Sequence, residues 1–214
     1  IDIEMSFMKQ KEILDLIEGM IQETFSAADL DEPEQFPHLT YQEAMDRYGT
    51  DRPDTRFGLE LVDLSEIVAD SEFNVFSGTI ANGGQVKGIN ARGCAGFSRG
   101  DIDNLTDYVA QYGAKGLAWI KKTENGISSP IAKFLSEDEL NKIVAKMEAA
   151  PGDLLLFVAD KPKIVATALG QLRVHLAEKL DLIEKDQYEF TWIIDFPLFE
   201  YKEDEGRYVA KHHP

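Results

Sequence analysis

Residues 154–158 read Leu-Leu-Leu-Phe-Val, an unbroken apolar run, and a long amphipathic stretch follows almost at once. The run reads as a short, fully apolar strand. From about Pro162 to Leu180, the residues Ile164, Ala168, Leu172, Leu176 and Leu180 recur in one row, which is the period of a helix. Gly170, inside that helix, costs about 1 kcal/mol against alanine. A strand with no polar position beside a helix with one apolar row commits this part of the chain to a packed unit of mixed elements.

The residues before it supply partners. Phe73–Ser77 and Gln85–Ile89 read as two strands, with Asn82-Gly83-Gly84 as the hairpin turn between them. Ser98 caps a helix that carries Ile102, Leu105, Tyr108 and Val109 on one face, with Gly113 behind it. Gly116–Ile120 is a strand, Glu124-Asn125-Gly126 its turn, and a second strand candidate runs to Phe134. Ser136 and Glu139 form a capping box for a helix that ends before Pro151-Gly152-Asp153. Residues from about 68 to 184 therefore make an α+β unit with its own core.

The chain on either side has a different texture. Residues 1–7, Ile-Asp-Ile-Glu-Met-Ser-Phe, alternate strictly and predict a strand. Asp2 and Glu4 then share its polar face about 6.6 Å apart, a spacing that suits one ammonium group or a hydrated Mg²⁺; the same pattern also fits an ordinary half-buried strand. Ile13, Ile17 and Ile21 mark a helix, and an acidic linker covers Asp29 to Pro37. Thr40 and Glu43 box the start of a short helix that Gly49 ends. Tyr48–Gly58 reads as an ordered loop and Asp63–Asp70 as a short helix. After the middle unit, Phe190–Phe196 returns to a strand, and Glu203–Gly206 turns a hairpin into a partner strand from Arg207 to His213. The chain starts in a sheet, leaves to build a separate unit and comes back. The first and last strands are expected as neighbours in one antiparallel sheet.

Of 214 residues, 43% are hydrophobic, and the formal charge is −17, so bulk attraction to a phosphate backbone is not expected. A single cysteine, Cys94, excludes an internal disulfide and suits a reducing, cytoplasmic setting. No apolar run approaches the roughly 20 residues of a membrane span. Ile1 is not an initiator and the chain stops inside a distinctive segment, so it reads as a piece of a longer protein.

The stretches "IDIEMSF" (1–7), "YGTDRPDTRFGLEL" (48–61), "YGAKGLAWIK" (112–121), "SPIAKFL" (129–135), "GDLLLFVADK" (152–161), "ALGQLRVHLAEKLDLI" (168–183) and "WIIDFPLFEYKEDEGRYVAKHHP" (192–214) resemble bacterial-type aspartyl-tRNA synthetase, a class II enzyme, over the whole chain and in the right order. The resemblance implies an α+β fold in which a GAD domain (so called because a related one occurs in a tRNA-dependent amidotransferase subunit) is inserted into a class II antiparallel catalytic domain. The implied division is 1–66 for the first catalytic piece, 67–184 for the insertion and 185–214 for the return strands.

The resemblance also implies the reaction: aspartate and Mg·ATP give aspartyl-adenylate and pyrophosphate, and the aspartyl group passes to tRNA(Asp). On that pattern Asp2 meets the α-ammonium of aspartate and His212 lies near it, with Glu4 and His213 in support. A strand points His212 and His213 to opposite sides. The arginines that clamp ATP lie outside this segment, so ATP and Mg belong to the whole enzyme, a homodimer. None of the segment's own residues is catalytic, and the segment alone is expected to be inactive and to need no cofactor.

Arg92-Gly-Cys-Ala-Gly-Phe-Ser-Arg-Gly100 precedes a helix N-terminus, and Arg92 and Arg99 are candidates for a tRNA phosphate contact; a flexible loop before a capped helix is the preferred account. Asp51–Arg56 is expected to fix the junction by charge pairing. Tyr112–Gly116 ends a helix and does not cradle a phosphate. Cys94 and the four histidines fit no metal spacing. Trp119 and Trp192 are expected in cores. The alternative to a ligase segment is a non-catalytic module that docks tRNA or an amidotransferase partner.

Overall fold

The computed structural model describes residues 2–184, 186–202 and 205–211. In chain order the elements are α1 (Gln10–Ala27), β1 (His38–Thr40), α2 (Tyr41–Tyr48), β2 (Val62–Asp63), α3 (Ser65–Val68), α4 (Asn74–Ala81), β3 (Gln85–Ala91), α5 (Arg99–Ala110), β4 (Ala118–Thr123), β5 (Gly126–Ser128), α6 (Glu137–Lys146), β6 (Leu154–Asp160), α7 (Pro162–Lys179), β7 (Trp192–Ile194), β8 (Phe199–Lys202) and β9 (Arg207–Ala210).

The apolar run 154–158 is explained by its place. β6 is the middle strand of a five-stranded sheet, β2-β3-β6-β4-β5, and every neighbouring pair in it is antiparallel. Helices cover both faces. Leu154, Leu156 and Val158 face a core built with Ile102, Leu105 and Val109 of α5 and Val165, Leu169, Leu172 and Leu176 of α7. Leu155 and Phe157 face a second core with Val68, Phe76 and Ile143, from α3, α4 and α6. A strand covered on both sides has no solvent face and needs no polar position. The outer strands β2 and β5 are very short, which limits exposed backbone at the sheet edges.

Several expectations are corrected. Phe73–Ser77 is not a strand; Asn74–Ala81 is helix α4. Phe73, Phe76 and Ile80 are spaced for a helix as well as the alternation is for a strand, and Phe76 is buried while Val75 is exposed. β3 is paired instead with β6 along its length and with β2 at Lys87 and Gly88. Asn82–Gly84 is then a helix end and not a hairpin: the N–H groups of Gly83 and Gly84 return to the carbonyls of Ile80 and Thr79 at 2.9 Å each.

The strand expected to run to Phe134 stops at Ser128, because Pro130 has no N–H to give a ladder, and Ala132–Phe134 is a 3-10 turn. Residues 2–7 form no strand: they pair with none of the described strands, and Phe7 is fully exposed with φ 61°. Among the described residues, the last strand β9 pairs with β8 and the return strand β7 pairs in parallel with β1, so residues 2–7 are the antiparallel neighbour of neither. Alternation specifies a face, but only a partner edge makes a strand.

The two flanks nevertheless meet. The Phe25 ring of α1 packs edge-on against Tyr188 and Phe190 at 5.2 and 5.3 Å, and Trp192 Nε1 donates to Glu18 at 2.9 Å. A hairpin does lead into the strand expected from Arg207, but its other arm is β8, a strand not read from the sequence; Lys163 and Glu200 tie it to α7 at 2.9 Å.

Candidate functional site

The expected aspartate pocket begins with Asp2 and Glu4. Both are exposed and lie in a segment without regular structure, so no strand holds them on a common face. His212 and His213 lie outside the described residues. The approach to them is held in place: the Lys211 N–H donates to the Leu198 carbonyl at 2.9 Å, and Lys211 Nζ sits 4.4 Å from the centre of the Tyr41 ring at the start of α2.

The best-built polar site is the junction between the flanks and the sheet unit. Arg173 of α7 is completely buried. Its Nη2 donates to the backbone carbonyls of Asp54, Gly58 and Phe57 at 2.9, 3.0 and 3.1 Å. The guanidinium carbon lies 4.2 Å from the Phe57 ring centre and 4.9 Å from that of Tyr48. Nε and Nη1 have no hydrogen-bond partner, so the two aromatic faces carry that part of the cation. Burial pushes its pKa down from the ordinary arginine value, and Tyr48, Asp54 and Glu60 oppose that.

The loop it grips is braced from within. Arg56 binds Asp54 at 2.7 Å and donates to the Gln187 carbonyl at 3.3 Å, which brings the returning chain to the same place. Arg47 of α2 makes a two-point contact with Glu60 at 2.7 and 2.8 Å. Hydrogen bonds from Arg56 and Arg47 hold the carboxyls of Asp54 and Glu60, respectively, below the usual range. The charge pairing expected for Asp51–Arg56 is present in Asp54 and Arg56. Lys87, buried in β3, donates to the Asp46 carboxyl at 2.8 Å.

Close backbone packing completes the joint. A Cβ on Gly170 would lie 2.9 Å from the Tyr48 carbonyl oxygen and 3.1 Å from that of Gly49. Gly49 itself has φ +72° and no room for a side chain against the Ala166 carbonyl. The mid-helix glycine is thus the contact point where the end of α2 meets α7. Arg173 and Lys87 were missed from the sequence. The available signal was Ala166, Gly170, Arg173 and Ala177 at steps of four, three and four, a face of small residues interrupted by one arginine.

The Arg92–Gly100 loop is already neutralised. Arg92 faces Glu148 at 3.4 Å and Arg99 faces Asp103 at 3.2 Å. The start of α5 is occupied by Asp101, which accepts from the Ser98 N–H at 2.9 Å and hydroxyl at 2.7 Å. Those bonds hold the Asp101 carboxyl below its ordinary value. Asp153 fastens the loop's base, accepting from the N–H of Gly93 and Ala150 and from Asn90 at 2.9, 2.9 and 3.1 Å.

The other candidates are placed as follows. Gly113 closes the turn after α5, its N–H donating to Ala110 at 3.0 Å. Cys94 is buried, and burial pushes its thiol up. Among the described residues, no group of three or more His, Cys, Asp or Glu side chains is placed to hold a metal ion. Trp119 packs against the first core; Trp192 is half-buried at the flanking joint. Among the described residues, no helix is long and apolar enough to cross a membrane.

The GAD domain model matches residues 76–169, which take in α5, β3, β4, β6 and the first part of α7. Over all of its length, the chain is 59% identical to the aspartate–tRNA(Asp/Asn) ligase of Halothermothrix orenii across 214 residues. It is similarly 57% identical to that of Natranaerobius thermophilus across 217 aligned residues and 56% identical to that of a Geobacillus species across 216. The chain spans 36–37% of the length of these relatives.

Proposed function

We propose, from a chain that belongs with the bacterial-type aspartyl-tRNA synthetases along its whole length and holds a GAD domain in its middle, that the whole protein is an ATP-dependent aspartate–tRNA ligase. The aspartate carboxylate oxygen attacks the α-phosphorus of ATP, and the bond to pyrophosphate breaks. The aspartyl group then leaves AMP for the terminal ribose hydroxyl of the tRNA. The relatives are named for both tRNA(Asp) and tRNA(Asn), and both are proposed as substrates. The whole enzyme is proposed to act as a homodimer.

In this reading residues 1–66 and 185–214 belong to a class II catalytic domain. Asp2 meets the substrate ammonium and His212 contacts the aspartate, with Glu4 and His213 supporting them. Preorganised positioning of this kind is how such sites accelerate transfer without a covalent enzyme intermediate. What the geometry adds is the joint, where Arg173, Gly170, Arg56 and Lys87 hold the sheet unit against the segments on either side of it. The buried cation is the positioning residue.

The single observation that carries the reading is similarity to the named ligases along every part of the chain. Aspartate-dependent ATP–pyrophosphate exchange tests it. The full-length protein is expected to exchange and the 214-residue chain to stay at background. Exchange by the full-length protein with a different amino acid, and none with aspartate, refutes it.

A further inference from the structure

A cavity of about 930 Å³ is bordered by α4, α5, the start of β4 and the end of β6. Its volume is in the range of small-molecule sites. Trp119 lines it from the α5 side of the sheet, and Phe73 and Phe157 line it from the α4 side.

Asp160, at the end of β6, lines it and is 6% exposed. Its Oδ1 accepts from the Lys161 N–H at 2.8 Å, which starts α7. Its Oδ2 is buried and has no hydrogen-bond partner. The nearest cation, Lys115 Nζ, stands 3.9 Å away, beyond hydrogen-bond reach, on a side chain 88% exposed. A buried acceptor left without a donor costs on the order of 1–3 kcal/mol. Lys115 and Arg99 stand at the rim with exposed side chains, and each already faces a carboxyl that lines the cavity, Lys115 that of Asp160 and Arg99 that of Asp103.

The indole face of Trp119 suits a planar ring. One free carboxyl oxygen suits a single N–H donor, as the exocyclic amine of cytosine or adenine supplies. Exposed lysine and arginine at the mouth suit a phosphate. We propose that this cavity binds a mononucleotide whose base carries an exocyclic amine, with the amine on Asp160 Oδ2, the ring against Trp119 and the phosphate at Lys115 and Arg99. The proposal does not depend on the ligase activity of the whole protein.

Cytidine 5′-monophosphate is the probe, because the ligase reading already gives adenine nucleotides a role. It is titrated into the 214-residue chain and followed by the Trp119 indole N–H and the Lys115 and Lys161 amides in NMR spectra. Saturable shifts at these groups are expected. Asp160→Asn keeps an acceptor for the Lys161 N–H but meets the ligand amine with a second amine, and is expected to weaken binding by at least about tenfold. Lys115→Glu is expected to weaken the nucleotide and leave cytidine unchanged. If Asp160→Asn fails to fold, the Lys115→Glu comparison decides. The proposal is overturned if Trp119 does not respond, if ribose 5-phosphate binds as tightly as the nucleotide, if a folded Asp160→Asn binds normally, or if only a single-stranded oligonucleotide binds.

Discussion

Arg173 holds Phe57 twice: its Nη2 donates to the Phe57 carbonyl at 3.1 Å while its guanidinium lies 4.2 Å from the centre of the same residue's ring. One side chain on the last helix of the sheet unit thereby fixes the loop that leads into that unit. Arg173→Met keeps the stem but strands the carbonyls of Asp54, Phe57 and Gly58. It is expected to cost about 2–4 kcal/mol in urea unfolding. Arg173→Lys is expected to recover only part, since an ammonium has no plane to lay on two rings. A change below about 0.5 kcal/mol for the methionine variant would show that the joint does not depend on this cation.

Gly170→Ala and Gly19→Ala should move stability in opposite directions. Both glycines lie inside helices, where alanine gains about 1 kcal/mol. At Gly19 a Cβ meets nothing within 4 Å, so α1 is expected to gain that amount. At Gly170 the Cβ would press on the Tyr48 carbonyl at 2.9 Å, and a net loss of about 1–3 kcal/mol is expected. Thermal melts of the two variants decide it.

Asp153 sets part of the acid limb. Burial works against its charge, but the N–H groups of Ala150 and Gly93, with Asn90, outweigh that and hold its carboxyl below the ordinary value. A depressed folded pKa gives stability that is full above the unfolded value of about 3.9 and is lost as pH falls through the folded one. Asp153→Ala is therefore expected to cost about 2 kcal/mol near pH 7 and progressively less below about pH 4. A cost that does not shrink in acid would assign the residue a packing role only.

Tyr108 should titrate late. Burial, then its hydroxyl contact with Tyr112 at 3.4 Å, pushes its phenol up to about 12. A raised folded pKa gives stability present below the unfolded value of about 10 and lost as pH rises from there through the folded one. Absorbance at alkaline pH is expected to show a phenolate that forms about two pH units after the exposed tyrosines, and that lags no longer in Tyr108→Phe.

Much of this architecture is legible in the residues themselves. Thr40 with Glu43, Ser98, and Ser136 with Glu139 mark three helix starts that the structure reproduces, each hydroxyl accepting the expected backbone N–H. Leu154–Val158 announces a buried strand. Phe73–Ser77 fails because five residues fit both periods, and the deciding fact, the packing of Phe76 into the second core, is tertiary. The strand expected over 1–7 is absent from residues 2–7 for the converse reason: a clean alternation with no described strand to pair it. Gly170 is visible as a cost, but the carbonyls that require it are more than a hundred residues away in sequence. Arg173 shares a face with Ala166, Gly170 and Ala177, a pattern that marks a close helix contact but does not name the carbonyls it meets. The expected aspartate pocket rests on resemblance, and its histidines lie outside the described residues.

The most direct test is aminoacylation by the full-length protein, with aspartate and each of tRNA(Asp) and tRNA(Asn), alongside an Asp2→Ala variant in this numbering. The account predicts aspartyl transfer to the tRNA and a loss of at least about a hundredfold in aspartate-dependent rate for the variant. Normal charging by Asp2→Ala would remove the proposed ammonium contact, and failure of the unaltered protein to charge any tRNA with aspartate would contradict the account as a whole.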